Sequence, residues 1–414
     1  MGSLSLIPIL ENTAPVIIYL IGAFLFIQSL GVDLTILSVV FGSLTVVLGF
    51  ALQGILNNFF SGLVLLIDSP FQFGDVISMQ DGSLAVIKKI GIRLTNLFLI
   101  DSNCEVFLPN GALQQQQILN LSRPAPHYYY SISLPLRADT APSKAMRIIR
   151  EVVMAHPDTL GNIDEKLQVF DKYYVFADNN EFVKHKQAKK EAGRQRLLAE
   201  KNANNLVIEL QEALADLAGK INVLEQGGLE LEETRKIQGY FLDILKLVGL
   251  ELVKERQGKR RLATLEETAN LDNTVIGEIR NWYKAWSKDP DFTEQDPIYL
   301  QEEWERKIQL LKFRMNKLFQ KISQPSMDET RLDDYLLALG KWLNERFKNT
   351  QTLWQAPKIW TNAIRGDGTM ASMEYVVKYF IDNIKLEQCQ RGNRIRSEVQ
   401  NELIRQLRQI YIYR

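Results

Sequence analysis

The 414-residue sequence predicts a membrane α-helical hairpin with a kinked second helix, a small all-β domain, and an α+β (split βαβ) domain that carries a large all-helical insertion. Three observations predict it. Residues 34–67 contain no charged side chain; short alternating strand-like runs follow at once; and two later groups of strand-like runs are separated by a long stretch of helical periodicity.

The uncharged run carries Gly42, Gly49, Gly54 and Gly62, with Gln53, Asn57 and Asn58 near its middle. A straight helix of this length would reach about 50 Å, against a hydrocarbon core of about 30 Å, so the chain must bend or leave the membrane part-way. Gly54 is the natural hinge, because glycine is costly in a helix interior and marks bends. Before it, Val39, Gly42, Ser43, Val46, Phe50 and Gln53 share one helical face. After it, Phe59, Phe60, Leu63, Val64 and Ile67 form an apolar surface opposite Asn57, Asn58 and Ser61, as in a helix lying at the interface. The glycines by themselves also fit close packing between neighbouring helices.

A second apolar span covers about residues 14–30, and Gly31-Val32-Asp33 makes the turn, giving a transmembrane region over residues 1–69. Residues 1–13 hold no Lys or Arg and no small-residue cleavage site follows, so the pattern is not that of a signal peptide. Lys88, Lys89 and Arg93 are the first basic cluster after the long helix, which places the following domains and the N-terminus in the cytoplasm. The β-domain is expected over residues 70–124: Pro70 ends the helix, residues 84–87, 91–100 and 105–108 read as strands, and Asp81-Gly82, Asp101-Ser102-Asn103 and Pro109-Asn110-Gly111 supply turns.

The motifs Leu48-Gly49-Phe50-Ala51-Leu52-Gln53-Gly54, Asn57-Asn58, Ser69-Pro70-Phe71-Gln72-Phe73-Gly74-Asp75-Val76-Ile77, Ile90-Gly91-Ile92-Arg93-Leu94-Thr95 and Phe107-Leu108-Pro109-Asn110-Gly111 occur in this order. Together they resemble the MscS family, the mechanosensitive channels of small conductance. The resemblance implies a small-conductance mechanosensitive ion channel with an Sm-like β-domain. It makes Val46 and Phe50 the pore constriction, Gly42, Ser43 and Gly49 the small residues by which pore helices pack and slide, and Gln53, Gly54, Asn57 and Asn58 the kink and its polar contacts. Phe50 is bulkier than the aliphatic residue expected there. The resemblance also implies a multi-pass protein of a bacterial inner-membrane type, a homo-heptamer, membrane lipid as partner, and ions and small solutes as permeants released during hypo-osmotic stress. The family's smallest members have three spans and a closing C-terminal strand. Only two spans are legible here and the chain stops at Arg414: either a segment is missing, so that tension sensing is expected to be weakened, or the reading frame starts late, and assembly is expected to rely on other contacts.

The α+β domain is expected over residues 125–177 and 369–414, with strands at 128–136, 166–177, 370–381 and 410–413 and helices at 142–155 and 388–409. Residues 178–368 form the insertion, bounded by the tip residues Asp178-Asn179-Asn180 and Gly366-Asp367-Gly368. Within it, Val207, Leu210, Leu214, Leu217, Ile221 and Leu224 make a coiled-coil seam, Gly227-Gly228 breaks it, and Ile237, Phe241, Ile244, Val248 and Leu252 make an answering stripe. Further helices are expected at 273–287, 299–322 and 329–347. All six tryptophans fall between 282 and 360 and read first as core, with a partner surface as the sharper alternative.

Lys and Arg together number 49 and so do Asp and Glu, so global charge favours no class of partner. The run Lys259-Arg260-Arg261 reads as a solvated helix end, and no nucleic acid is expected. Cys104 and Cys389 offer no pairing framework, Cys104 reading as structural at a strand start. His127, His156 and His185 are scattered and read as surface or interface residues. Asp68 and Asp75 read as capping and solvation at the helix exit. No enzyme motif, metal set or cofactor loop is present in the sequence, and no catalytic residue is assigned. The alternative to a channel is a non-conducting, membrane-anchored interaction protein that acts on an unidentified partner through the helical insertion.

Overall fold

A computed structural model describes residues 6–29, 35–68, 70–123, 127–173, 182–225, 231–254, 260–264, 271–323, 331–347, 356–366 and 371–409. Two compact units are present, residues 1–74 with 78–119 and residues 75–77 with 120–414.

The first unit begins with α1 (Leu6–Ser29) and α2 (Thr35–Asp68). Among the described residues, one helical stretch is long and apolar enough to cross a membrane, Gly42–Asp68 in α2; Ala14–Ser29 in α1 is a shorter apolar stretch. α2 is assigned as one helix through Gly54, so the expected kink does not interrupt it. The expected turn at 31–33 lies outside the described residues. After β1 (Val76–Ser78) come β2 (Leu84–Ile90), β3 (Leu94–Leu99), β4 (Cys104–Pro109) and the short helix α3 (Asn110–Gln115). β2, β3 and β4 form an antiparallel meander in which Val86 faces Phe98 and Thr95 faces Leu108. Ala85, Ile87 and Leu97 are buried, the alternation expected of a sheet with one face on a core, and Leu113 of α3 is buried too.

In the second unit β1 neighbours β5 (Leu119–Asn120), fixed by Leu121 N donating to the Val76 carbonyl at 2.8 Å. Then follow β6 (Tyr128–Arg137), α4 (Pro142–Ala155), α5 (Ile163–Tyr173), α6 (Phe182–Glu225), α7 (Leu231–Val248), β7 (Leu250–Lys254), β8 (Arg260–Thr264), α8 (Val275–Trp286), α9 (Asp296–Ser323), α10 (Leu332–Phe347), β9 (Lys358–Gly366), β10 (Ala371–Ile381) and α11 (Arg391–Gln409). β10 is the centre of a three-stranded antiparallel sheet, β6-β10-β9. Its Tyr375, Val377, Tyr379 and Ile381 are buried in one core with Ile149 of α4 and Ile395, Val399 and Leu403 of α11.

Residues 166–177, expected as a strand, are instead helical as far as Tyr173. Ile163, Lys166, Phe170 and Tyr173 recur at helical spacing on the buried face, and Asn162 Oδ1 accepts from Asp164 N at 2.9 Å and Glu165 N at 3.1 Å to start the helix. A lysine in the apolar stripe disguised that period. The third strand is β9, inside the stretch assigned to the insertion. The order among the described residues is therefore β-α-α, helices with a hairpin, then β-β-α, not the expected β-α-β-β-α-β. The strand expected at 410–413 lies outside the described residues.

The helical part is not a two-helix coiled coil alone. α6 packs against α8 and α10 as well as α7, and one core joins Val207, Leu210, Leu214 and Ile221 to Phe241, Trp282, Trp304 and Leu343. Leu252 belongs to β7, not to a helix stripe. Trp282, Trp286, Trp304 and Trp342 are buried, whereas Trp360 is 43% exposed on β9; Trp354 lies outside the described residues. Arg260 and Arg261, expected at a helix end, lie in β8 opposite Lys254 and Val253.

Candidate functional site

The sequence-predicted site residues all lie on α2, and the structure treats its two ends differently. Val46 and Phe50, one turn apart, are 58% and 73% exposed in the single chain. A Cβ added at Gly42, Gly49 or Gly54 would meet nothing within 4 Å. The first part of α2 therefore presents apolar side chains and small-residue notches that this chain does not itself cover. Ser43 and Gln53 lie on the same exposed stretch.

The last third of α2 is held firmly. Ser61, Gly62 and Leu65 are buried, and with Asn58 they make one helical face. Asn58 Nδ2 donates to the Gly54 carbonyl at 2.7 Å, while its Oδ1 accepts from Gly111 N at 2.9 Å. A Cβ on Gly111 would come within 2.5 Å of Asn57 Nδ2, and one on Gly62 would collide with the Ile92 carbonyl. Gly62 has no room for a side chain because the helix meets the backbone of Ile92 there, whereas at Gly111 the near atoms are the ends of the Asn57 and Asn58 side chains.

Asn110 makes the receiving surface rigid. It is fully buried; its Oδ1 accepts from Thr95 Oγ1 at 2.8 Å, and its Nδ2 donates to the carbonyls of Gly91 and Ile92 at 2.9 and 3.0 Å. One amide thus ties the start of α3 to the β2–β3 turn and to β3 under α2, with every polar atom matched. The motif residues 90–95 and 107–111, which looked like strand and turn in the sequence, are the seat of the helix end.

A second constellation, invisible in the sequence, lies at the root of the helical part of the second unit. Arg391 is fully buried; it donates to Asp158 Oδ1 at 2.6 Å, Asp382 Oδ1 at 3.2 Å and Glu387 Oε1 at 2.7 Å. Arg196 of α6 reaches the same Asp158 and Asp382. Lys189, also of α6, pairs with Glu398 at 2.5 Å and with Asp291. Arg394 joins Asp291, Glu387 and Glu398 at 3.0, 2.6 and 3.0 Å. Burial alone would push Asp158 up, yet Arg391 and Arg196 hold its carboxyl well below the usual range. Glu398 is likewise held low against its burial by the His156 hydrogen bond, with Lys189 and Arg394 adding to it. Asp289 goes the other way, pushed up to about 6 by burial and the Asp158 charge.

His156, expected at the surface or at an interface, is buried in this cluster. Its Nδ1 accepts from Asp158 N at 3.2 Å and its Nε2 faces Glu398 at 2.9 Å, and burial lowers its pKa. Lys166 donates to the His156 carbonyl at 2.6 Å, and burial lowers it to about 8. Asp75 was expected as a solvated cap but is buried, bonded to Arg123 at 3.1 Å and Lys385 at 3.3 Å. His185 is half-exposed, 3.4 Å from Asp291, and Cys104 is exposed.

Comparison with known proteins locates the resemblance. Residues 54–123 match the mechanosensitive ion channel β-domain. The chain is 31% identical over 153 residues to the small-conductance mechanosensitive channel MscMJ of Methanocaldococcus jannaschii, covering 36% of this chain and 43% of that one. It is 32% identical over 141 residues to the mechanosensitive channel MscK of Escherichia coli, covering 34% of this chain and 12% of the relative. Helicobacter pylori MscS in its closed state superposes with a TM-score of 0.33 at 20% identity, over 37% of this chain and 59% of that chain, a likeness too weak to bear on the fold. The chain thus spans less than half the length of either sequence relative. The shared part holds the end of α2, its glycine contacts and the seat formed by Asn110 and Gly111, and it is in this part that the chain is similar to the mechanosensitive channels.

Proposed function

We propose that the protein is a subunit of an MscS-type mechanosensitive channel in a cell membrane, with α2 lining the pore. The observation that carries this reading is the contrast along α2: an uncovered apolar face bearing Val46 and Phe50, followed by an end bolted through Asn58 and Gly62 to a rigid β-domain. A helix with so large an apolar surface uncovered in one chain needs lipid and further copies about it. A ring of such helices, seven in a homo-heptamer, would bring Val46 and Phe50 to the axis. Two apolar rings one turn apart stop ion flow by dewetting, without touching across the axis.

Tension favours whichever state occupies more area in the bilayer plane, so opening needs helices that can slide and tilt. Gly42, Ser43 and Gly49 supply smooth faces for sliding, and Gly54 with Gln53, Asn57 and Asn58 supplies the bend. Ions and small solutes released under hypo-osmotic stress are the permeants this mechanism serves. The chain is multi-pass if α1 also spans, with the β-domain and the second unit in the cytoplasm. Catalysis plays no part in this mechanism.

The test is direct: purified protein in liposomes, recorded in excised patches under a ramp of suction against empty liposomes. Stepwise currents that appear with suction support the channel. Silence from correctly inserted oligomers overturns it in favour of a membrane-anchored interaction protein working through its helical part.

A further inference from the structure

Helix α9 carries a surface that the channel reading leaves unused. Its buried stripe, Trp304, Ile308, Leu311, Met315, Leu318 and Ile322, faces the helical core. On the opposite side, Arg306, Leu310, Phe313 and Lys317 recur at helical spacing and are all exposed, Leu310 to 46% and Phe313 to 67%. Arg314, also exposed, flanks them, its guanidinium 4.5 Å from the ring centre of Trp342. From Arg306 to the end of α9 at Ser323 the helix contains no Asp or Glu, although the chain as a whole balances 49 basic against 49 acidic residues. Only the start of the stripe is acidic, at Glu302.

We infer that this face of α9 docks on an anionic phospholipid surface. Two bulky apolar side chains bracketed by basic ones suit shallow insertion at the headgroup boundary, where apolar rings enter and Lys and Arg stems snorkel to the phosphates. The apolar part is two residues wide. A specific protein interface needs about 800 Å² per partner with an apolar centre, which this stripe does not offer. A basic stripe of this size binds free vesicles weakly, but α2 in the same chain is long enough to hold the protein at a bilayer, and tethering raises the effective concentration. The inference rests on the membrane assignment above and not on conduction.

The test uses full-length protein with Phe313→Cys in a Cys104→Ser background, labelled with a polarity-sensitive fluorophore. It is reconstituted into vesicles of phosphatidylcholine alone or mixed with phosphatidylglycerol, each with a nitroxide quencher at headgroup depth. The expected result is a blue shift and about twofold greater quenching in the anionic vesicles, reversed by high salt and lost in the Arg306→Glu, Lys317→Glu double variant. An aqueous spectrum in both vesicles would overturn the inference and leave a solvated face. A shielded but unquenched fluorophore in both would overturn it in favour of a protein partner, a second copy included. Protein that floats with neither vesicle would overturn the membrane assignment itself.

Discussion

Asn58 is the residue on which the most depends, because a single amide spans the helix and the domain beneath it. Asn58→Ala leaves Gly111 N without its acceptor at a half-buried site, and is expected to weaken the docking of α2 by about 1–2 kcal/mol. Patch recordings of the variant should show a changed tension threshold with unchanged unit conductance; a changed conductance with an unmoved threshold would count against a purely mechanical role. Gly62→Ala places a methyl group against the Ile92 carbonyl, and about 1–3 kcal/mol of overpacking should appear as earlier thermal unfolding of the β-domain. Val46→Ser or Phe50→Ser should let water into the closed pore and give currents at lower tension, read as leak in the same patches. Thresholds identical to the parent in both serine variants would remove these residues from the gate.

At the scale of elements, what the sequence showed and what it hid divide along physical lines. α2, the meander β2–β4, β10 and α8–α11 were legible because each repeats one side-chain period between clear breakers. The expected site residues fall on α2, but the contacts that hold the end of that helix are not legible in the sequence. That Asn58 meets Gly111, and that Asn110 braces Gly91 and Ile92, depends on residues about 50 and 20 positions apart and no local pattern encodes it. α5 was misread because Lys166 sits in its apolar stripe, kept there by the carbonyls of His156 and Thr159. Lys166→Met keeps the stem but strips the buried His156 and Thr159 carbonyls of their donor, and is expected to lower the melting temperature; Lys166→Ala, which loses the stem as well, should lower it further, a difference calorimetry resolves. β9 was hidden inside a stretch assigned to the insertion, because a strand with exposed Trp360 and Ile364 gains its identity only from pairing with β10.

Across the whole molecule, the buried ionic cluster fastens the helical part to the sheet-bearing part from several directions, through Arg196 and Lys189 on α6, Asp382 after β10, and Arg391 and Arg394 on α11. Arg391→Ala leaves Asp158 and Asp382 with one partner fewer, and a loss of about 3–5 kcal/mol is expected in denaturant melts. The pH dependence has two signs. Asp158 and Glu398, held low in the folded state, contribute stability that is full above their unfolded values and fades as pH falls through their folded ones. Asp289, raised from 3.8 to about 6, does the opposite: its cost grows as pH rises from 3.8 to about 6 and stands in full above that. Asp289→Asn should therefore stabilise the protein near neutral pH by about 1–3 kcal/mol, with the gain shrinking as pH drops toward 4. A gain that grew on acidification would refute this assignment. The Gly54 carbonyl, for its part, already has two suitors: the Asn58 backbone N–H one helical turn on, and the Asn58 side-chain amide at 2.7 Å. If α2 bends there and the backbone bond is lost, the side chain keeps that oxygen supplied, so the hinge can swing without stranding a bare carbonyl where water is scarce.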